Sequence, residues 1–198
     1  MNLSDIVMQA GRIADNDAPI ADIIEFVEAP WGLQMKLFPV QRVILKVHYG
    51  LELDDTKKFK ISGWRRQEFR EVTEKEYLEF IHDDGRCNVR EVKPGHERRE
   101  MILSIGRRSG KTTISACIAA YETYKLIKKG DPQGYYGLPA SNNIQIISVA
   151  TDKDQAGLLY QEVSGHFRNC AFFHPFTANN TMSYARFQTP KDIERYGS

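Results

Sequence analysis

The seven residues Gly-Arg-Arg-Ser-Gly-Lys-Thr at positions 106–112 lie between an apolar stretch and a segment with the pattern of a helix. The apolar stretch, residues 101–105, predicts a β-strand, and residues 113–129 predict the helix. A strand, a tight loop and a helix N-terminus direct backbone N–H groups and the helix dipole at an anion. The sequence therefore predicts a phosphate-binding loop. Lys111 would contact the β- and γ-phosphates, and the Thr112 hydroxyl would bind Mg²⁺.

The loop is one residue shorter than the usual phosphate-loop pattern, which places a glycine five positions before the second glycine. Ile105 stands at that position, and the first glycine is Gly106. The strand before the loop and the helix after it still favour a phosphate loop over a chance match. The residues predicted to contact the nucleotide here are Gly106, Arg107, Arg108, Ser109, Gly110, Lys111, Thr112 and Thr113.

The two arginines of the loop allow two interpretations. Arg107 and Arg108 could be exposed loop cations with no role in chemistry. Alternatively, one of them reaches the γ-phosphate and stabilises the charge of the transition state. Because adjacent residues rarely point the same way, we expect at most one of the two to do so.

Composition excludes several classes of protein. The chain has 198 residues, of which 41% are hydrophobic and 27% charged, enough for one core. The net charge of +1 does not by itself argue for nucleic acid. Cys87, Cys117 and Cys170 have neither zinc-site nor disulfide spacing, and the five histidines show no ligand spacing. No stretch is apolar enough to span a membrane and no secretion signal is visible, so a cytosolic protein is expected.

The sequence predicts three regions, which are residues 1–50, 51–98 and 99–198. The first region reads as helices, with apolar stripes at residues 3–10, 20–27 and 40–47. The second region is a polar insertion whose function is not visible in the sequence. Within it, residues 76–81 and 87–92 could form a β-hairpin across Asp83-Asp84-Gly85.

The third region predicts an α/β core. After the loop and its helix, residues 144–149 predict a second strand, and apolar residues from Ala156 to Phe167 predict a second helix. Strands that alternate with helices are typical of a mainly parallel sheet flanked by helices. The expected fold class is therefore α/β, with N-terminal helices and a small insertion before the core.

Three segments in order resemble the large terminase subunit of tailed bacteriophages, the ATPase that packages DNA into procapsids. Residues 106–112 resemble the deviant phosphate loop of that family, and residues 37–44, Leu-Phe-Pro-Val-Gln-Arg-Val-Ile, resemble its adenine-binding glutamine segment. Residues 146–156 are similar to the family's next strand, with its Ala-Thr and Asp-Gln-Ala pattern. The resemblance implies a RecA-like P-loop NTPase fold of the ASCE type.

The resemblance also assigns roles by position. Gln41 would recognise adenine through its amide, although a polar residue on an exposed helix face is the alternative interpretation. Arg107 would act in cis on the γ-phosphate, Lys111 would bind phosphate and Thr112 would bind magnesium. The implied ligands are ATP and Mg²⁺. The implied partners are double-stranded DNA, the portal protein, the small terminase subunit and further copies of the chain in a ring. The implied location is the cytoplasm of an infected bacterium, and no membrane partner is implied.

The sequence also departs from the family. No apolar strand followed by an Asp-Glu pair occurs between Gly110 and Ser198, and neither the coupling motif nor the nuclease domain is visible. We therefore expect the N-terminal ATPase region of a packaging motor, with an incomplete sheet. This chain should bind nucleotide at best and hydrolyse little of it, since the carboxylate that activates water is missing.

Two other classes of function stay open at this stage. A helicase-like ATPase also has a glutamine before its phosphate loop, and the downstream domain would distinguish it from a terminase. A non-catalytic binding or assembly module is the third hypothesis, with a vestigial loop and helices that dock a partner. A melting experiment with ATP and Mg²⁺ separates this module from the two ATPases.

Overall fold

The computed structural model describes residues 19–62, 69–106 and 109–196. The chain divides into two compact units, which are residues 1–35 with 105–198 and residues 36–104. The stripe predicted at residues 3–10, together with Arg107 and Arg108, lies outside the described residues. The three regions predicted from the sequence stay a prediction.

The described residues are mostly helical, with short strands. In chain order the elements are α1 (Ile23–Glu28), α2 (Pro39–Tyr49), β1 (Phe59–Ser62), β2 (Phe69–Val72), α3 (Glu74–Asp83), α4 (Lys111–Lys128), α5 (Pro132–Tyr135), α6 (Lys153–Asn169), a 3-10 helix (Ala171–Phe176), β3 (Thr177–Asn180), β4 (Ala185–Phe187) and α7 (Pro190–Tyr196). The helices predicted around residues 20–27, 39–50, 113–129 and 156–167 are confirmed as α1, α2, α4 and α6.

Both sheets in the described part of the chain are two-stranded and antiparallel, β1 with β2 and β3 with β4. The segments 101–105 and 144–149 belong to neither sheet. Several of their apolar side chains face solvent, with exposed fractions of 92% for Ile102 and 87% for Val149. The predicted parallel sheet is therefore not confirmed, because the described residues place no strand beside either segment.

The β-hairpin predicted across residues 83–85 is wrong. Residues 76–81 lie inside α3, and residues 87–92 form no strand. A capping box starts the helix: Glu76 N–H donates to Thr73 Oγ1, and Thr73 N–H donates to a Glu76 carboxylate oxygen. Gly85, with a φ of 71°, follows the end of this helix instead of turning between strands.

An aromatic core holds the first unit together. Phe26 of α1 is fully buried and stacks on Tyr124 of α4, with 4.7 Å between ring centroids. Phe173 of the 3-10 helix meets Phe26 edge-on at 6.2 Å. The α4 helix also packs along α6. The helix that follows the loop is thus fixed by its buried side, while its N-terminal residues Lys111 and Thr112 remain exposed.

A buried carboxylate joins the elements of the second unit. Glu74, the first residue of α3, accepts a hydrogen bond from Lys46 Nζ of α2 at 2.6 Å. The same oxygen accepts the Asp54 N–H at 2.8 Å. The Glu74 N–H donates in turn to the Asp54 carbonyl at 3.1 Å. This pairing fixes α2 against the start of α3 in a buried environment, where an unpaired charge would be costly.

Candidate phosphate-binding loop

The loop ends at a residue whose backbone conformation only glycine adopts without strain. Gly110 is the N-cap of α4 and has a φ of 76°, in the left-handed region. Its carbonyl accepts the first bond of the helix, from the Ile114 N–H at 3.0 Å. Among the described residues, no side chain caps this end of α4. The N–H groups of Lys111, Thr112 and Thr113 therefore begin the helix without an intrahelical acceptor, as an anion site requires.

The Lys111 side chain turns back over the loop. Its ammonium donates to the Ile105 carbonyl at 2.7 Å and to the Gly106 carbonyl at 3.3 Å. Ser109 Oγ also donates to the Gly106 carbonyl. These contacts tie the side chains of Ser109 and Lys111 to the backbone carbonyls of Ile105 and Gly106. An ammonium has three N–H donors, so one remains for a phosphate oxygen while two hold the loop.

The exposure of the helix start separates solvent-facing residues from core residues. Lys111 and Thr112 are exposed, Thr113 is half-buried and Ile114 is fully buried. Ile114 therefore anchors the helix while the two residues before it face solvent. The Thr112 hydroxyl is accessible to a cation held between protein and phosphate, which fits the expected role of the group.

Gln41 lies in the second unit, at the third position of α2. Its side chain is buried rather than on an exposed helix face, and its amide oxygen accepts the Phe38 N–H at 2.9 Å. Only this half of a capping box exists, because a phenylalanine has no side-chain acceptor. The amide N–H₂ remains as a donor. Base recognition by Gln41 stays a prediction, and it would have to use this N–H₂ group.

Two of the cysteines, Cys117 and Cys170, are buried packing residues. Burial raises the pKa of the Cys117 thiol to about 12, and Glu162 raises it further in the same direction. Burial also raises the pKa of Cys170 to about 11, and its thiol donates to the Trp31 carbonyl at 3.6 Å. Both are therefore neutral thiols at physiological pH. In the ranges that the structure describes, no group of three or more His, Cys, Asp or Glu residues could hold a metal ion.

The structure brings together, within the first unit, the residues from Ser109 to Thr113 and the two carbonyls of Ile105 and Gly106. These two acceptors could not be predicted from the sequence, because every residue type carries a backbone carbonyl. Arg107 and Arg108 lie outside the described residues, so their two interpretations both stay open. No helix of the described chain has the length and apolarity to cross a membrane.

A glycine in the left-handed region, an uncapped helix N-terminus and a lysine folded over the loop are the features expected of a P-loop domain. The comparison with protein families gives the same class independently. The chain belongs to the family described as "Uncharacterized protein MJ0330, N-terminal P-loop domain", which matches residues 16–196. No curated protein and no solved structure matched the sequence. The predicted P-loop domain is thus confirmed, and the resemblance to terminases stays a prediction.

Proposed function

We propose that this P-loop domain binds ATP with Mg²⁺ at residues 106–113. The observation that carries the proposal is the pairing of the uncapped α4 N-terminus with the Lys111 ammonium over the loop. Backbone N–H groups, a helix dipole and a free lysine donor all favour a triphosphate. A family of P-loop domains that covers residues 16–196 supports the same function.

In this proposal each residue has a defined task. The backbone of Gly106, Arg107, Arg108, Ser109 and Gly110 surrounds the phosphates, and the Thr113 N–H adds a donor. Lys111 balances phosphate charge, and Arg107 acts in cis on the γ-phosphate. Gln41 donates its amide N–H to the adenine ring. Magnesium, held by the Thr112 hydroxyl, would neutralise charge on the phosphate oxygens.

Hydrolysis requires more than this cradle. Phosphoryl transfer depends on a group that orients the attacking water, and the sequence after Gly110 has no apolar strand followed by Asp-Glu. The residues present bind and orient the triphosphate, but none is assigned to accept the proton of water. We therefore expect nucleotide binding at best, with little turnover by this chain.

We further propose that the domain serves a DNA-packaging motor of the terminase type. The ordered resemblance of residues 37–44, 106–112 and 146–156 supports this. In such a motor, segments 101–105 and 144–149 would be strands of a parallel sheet, and their exposed apolar side chains are consistent with missing strand neighbours. Double-stranded DNA, the portal protein, the small subunit, a homo-oligomeric ring and the cytoplasm of an infected bacterium belong to this proposal.

The test is thermal melting of the purified chain with increasing ATP and Mg²⁺. Ligand at a hundred times its Kd stabilises the folded state by about 2.7 kcal/mol. For a chain of this size that raises the Tm by roughly 5–10 °C. The Lys111→Ala variant should lose the shift, whereas Lys93→Ala, which alters an exposed lysine elsewhere, should keep it. No shift in the unmodified chain would favour the non-catalytic module.

A further inference from the structure

The β1–β2 ribbon of the second unit has two different faces. Its register pairs Phe59 with Val72, Lys60 with Glu71 and Ile61 with Arg70. Side chains alternate between the faces along each strand. Phe59, Ile61, Arg70 and Val72 therefore share one face, and Lys60, Phe69 and Glu71 share the other.

The first face is the packed one. Val72 is 1% exposed, and the Phe59 ring meets the Tyr77 ring of α3 edge-on at 5.6 Å. The Arg70 guanidinium lies 5.8 Å from the centre of the Phe80 ring, also in α3. These contacts fix the ribbon on α3 and leave its second face outward.

The outward face and its approach are rich in cations. Residues 57–62 contain three Lys and no Asp or Glu, and the exposed Asp55 precedes them. Lys57, Lys58 and Lys60 are all exposed, and Phe69 exposes 74% of its surface on the same side as Lys60. Glu71 lies opposite Lys60 and offsets one of these charges. The ribbon as a whole keeps an excess of positive charge.

The approach to the ribbon is ordered by Asp54. Its carboxylate accepts the N–H groups of Thr56 and Lys57 and the Thr56 hydroxyl, at 2.7–3.1 Å. These hydrogen bonds lower the pKa of Asp54 to about 2. Its carboxylate therefore stays ionised, and its hydrogen bonds hold the backbone at Thr56 and Lys57.

We propose that the outward face of the β1–β2 ribbon binds the phosphodiester backbone of nucleic acid. Lysines on a fixed ribbon can each neutralise one phosphate and release a counterion. A two-stranded ribbon is also narrow enough to enter the major groove of a duplex. An anionic membrane is disfavoured, because Phe69 is the large apolar side chain on this face among the described residues. The inference deepens the proposed motor function by naming the surface that meets DNA.

The experiment measures binding of the whole chain to a fluorescein-labelled duplex and to a single-stranded oligonucleotide by anisotropy, at several salt concentrations and without nucleotide. The double variant Lys58→Gln/Lys60→Gln should weaken duplex binding on the order of ten- to a hundredfold near 0.1 M salt. The slope of log K against log salt should fall by about 1.8. The matched control is Lys36→Gln/Lys93→Gln, which removes two exposed lysines elsewhere. It should change the affinity by less than about threefold and the salt slope by less than about 0.5.

A Phe69→Ala variant distinguishes the two forms of nucleic acid. It should leave duplex affinity within about threefold of the unmodified chain, since stacking on unpaired bases is a property of single strands. If the unmodified chain binds the single strand tightly and Phe69→Ala loses that binding, the result would support the phosphate contact and identify a single strand as the partner. Duplex binding with an unchanged salt slope in Lys58→Gln/Lys60→Gln would overturn the proposal, as would binding only to phosphatidylserine vesicles.

The same variants separate this proposal from nucleotide binding. Lys58→Gln/Lys60→Gln should retain its melting shift with ATP and Mg²⁺, which also shows that the variant is folded. Ribbon-dependent DNA binding without an ATP shift would refute the nucleotide site and support the ribbon. A melting shift with ATP, together with DNA binding that is insensitive to the ribbon lysines, would support the nucleotide site and refute the ribbon proposal.

Discussion

At the scale of single residues, side chains that carry charge divide into those that hold the structure and those left for ligands. Glu74 and Lys46 belong to the first kind, because Glu74 is buried, Lys46 is half-buried and the two are paired at 2.6 Å. Lys111 belongs to the second, since it is exposed and bonds only to two backbone carbonyls in the described part of the chain. The sequence alone could not separate them, as burial depends on elements that lie far apart in the chain.

The Glu74→Ala substitution tests the buried pair. It leaves the Lys46 ammonium without its carboxylate in a site that is 13% exposed. Removal of one partner from a buried pair costs about 3 kcal/mol or more. Urea denaturation should show this loss, whereas Glu79→Ala, an exposed carboxylate on the same helix, should change stability by less than about 0.5 kcal/mol. Equal effects of the two substitutions would refute a structural role for the pair.

His166 makes stability depend on pH. Burial lowers its pKa below the ordinary 6.5, against the opposing effect of Glu162, and its buried Nε2 has no hydrogen-bond partner among the residues that the structure describes. A depressed pKa means that the folded chain binds fewer protons than the unfolded chain, so stability falls as pH drops below about 6.5. We expect a lower urea midpoint at pH 5.5 than at pH 7.5.

The control for this prediction is the exposed His174. His166→Leu should flatten the dependence of the urea midpoint on pH, while His174→Gln should leave it as in the unmodified chain. A pH dependence of the same size in His166→Leu would show that other groups cause it.

At the scale of elements, local chemistry predicts the helices well and the strands poorly. Pro39 at the first turn and Gly50 at a φ of 65° bound α2, as the sequence indicated. Residues 76–81 were mistaken for a strand because the Asp-Gly sequence at 84–85 resembles a hairpin turn, while the Thr73–Glu76 capping box was overlooked. Strands require partners, and a window of sequence cannot show which partner is present.

The start of α4 gives a prediction at this scale. Gly110→Ala forces a Cβ into the left-handed region and should cost about 1–2 kcal/mol. It should also reduce the melting shift with ATP, because the first-turn amides would be displaced. The matched control is Gly157→Ala in α6, where an added Cβ meets nothing within 4 Å. That change should stabilise the chain by up to about 1 kcal/mol. A stable Gly110→Ala variant with a full ATP shift would contradict the assignment of this turn.

At the scale of the whole molecule, the P-loop class was predictable and the sheet was not. The loop, its helix and the second helix follow from residues that are close in sequence. The parallel sheet depends on pairing between segments, and no described strand pairs with residues 101–105 or 144–149. Arg107 lies outside the described residues, and the base contact of Gln41 requires a bound nucleotide to define it, so both stay predictions.

The exposed segment 144–149 predicts association through apolar surface. Ile147 and Val149 expose 71% and 87% of their surfaces, and large exposed apolar patches promote contacts between molecules. Ile147→Thr/Val149→Thr should raise the concentration at which light scattering detects association and leave the Tm within about 2 °C. Val163→Thr, at a buried position, should lower the Tm instead. A large fall in Tm for the double variant would show that the segment is packed in solution.

The central claim is that main-chain amides at the start of α4 bind a triphosphate. Backbone amide NMR during titration with ATP and Mg²⁺ tests this most directly. The account predicts saturable shifts of the amides of residues 109–113 in the unmodified chain, and none in Lys111→Ala while Lys93→Ala behaves normally. Saturable binding that leaves these amides unshifted, or no binding at millimolar ATP, would contradict it.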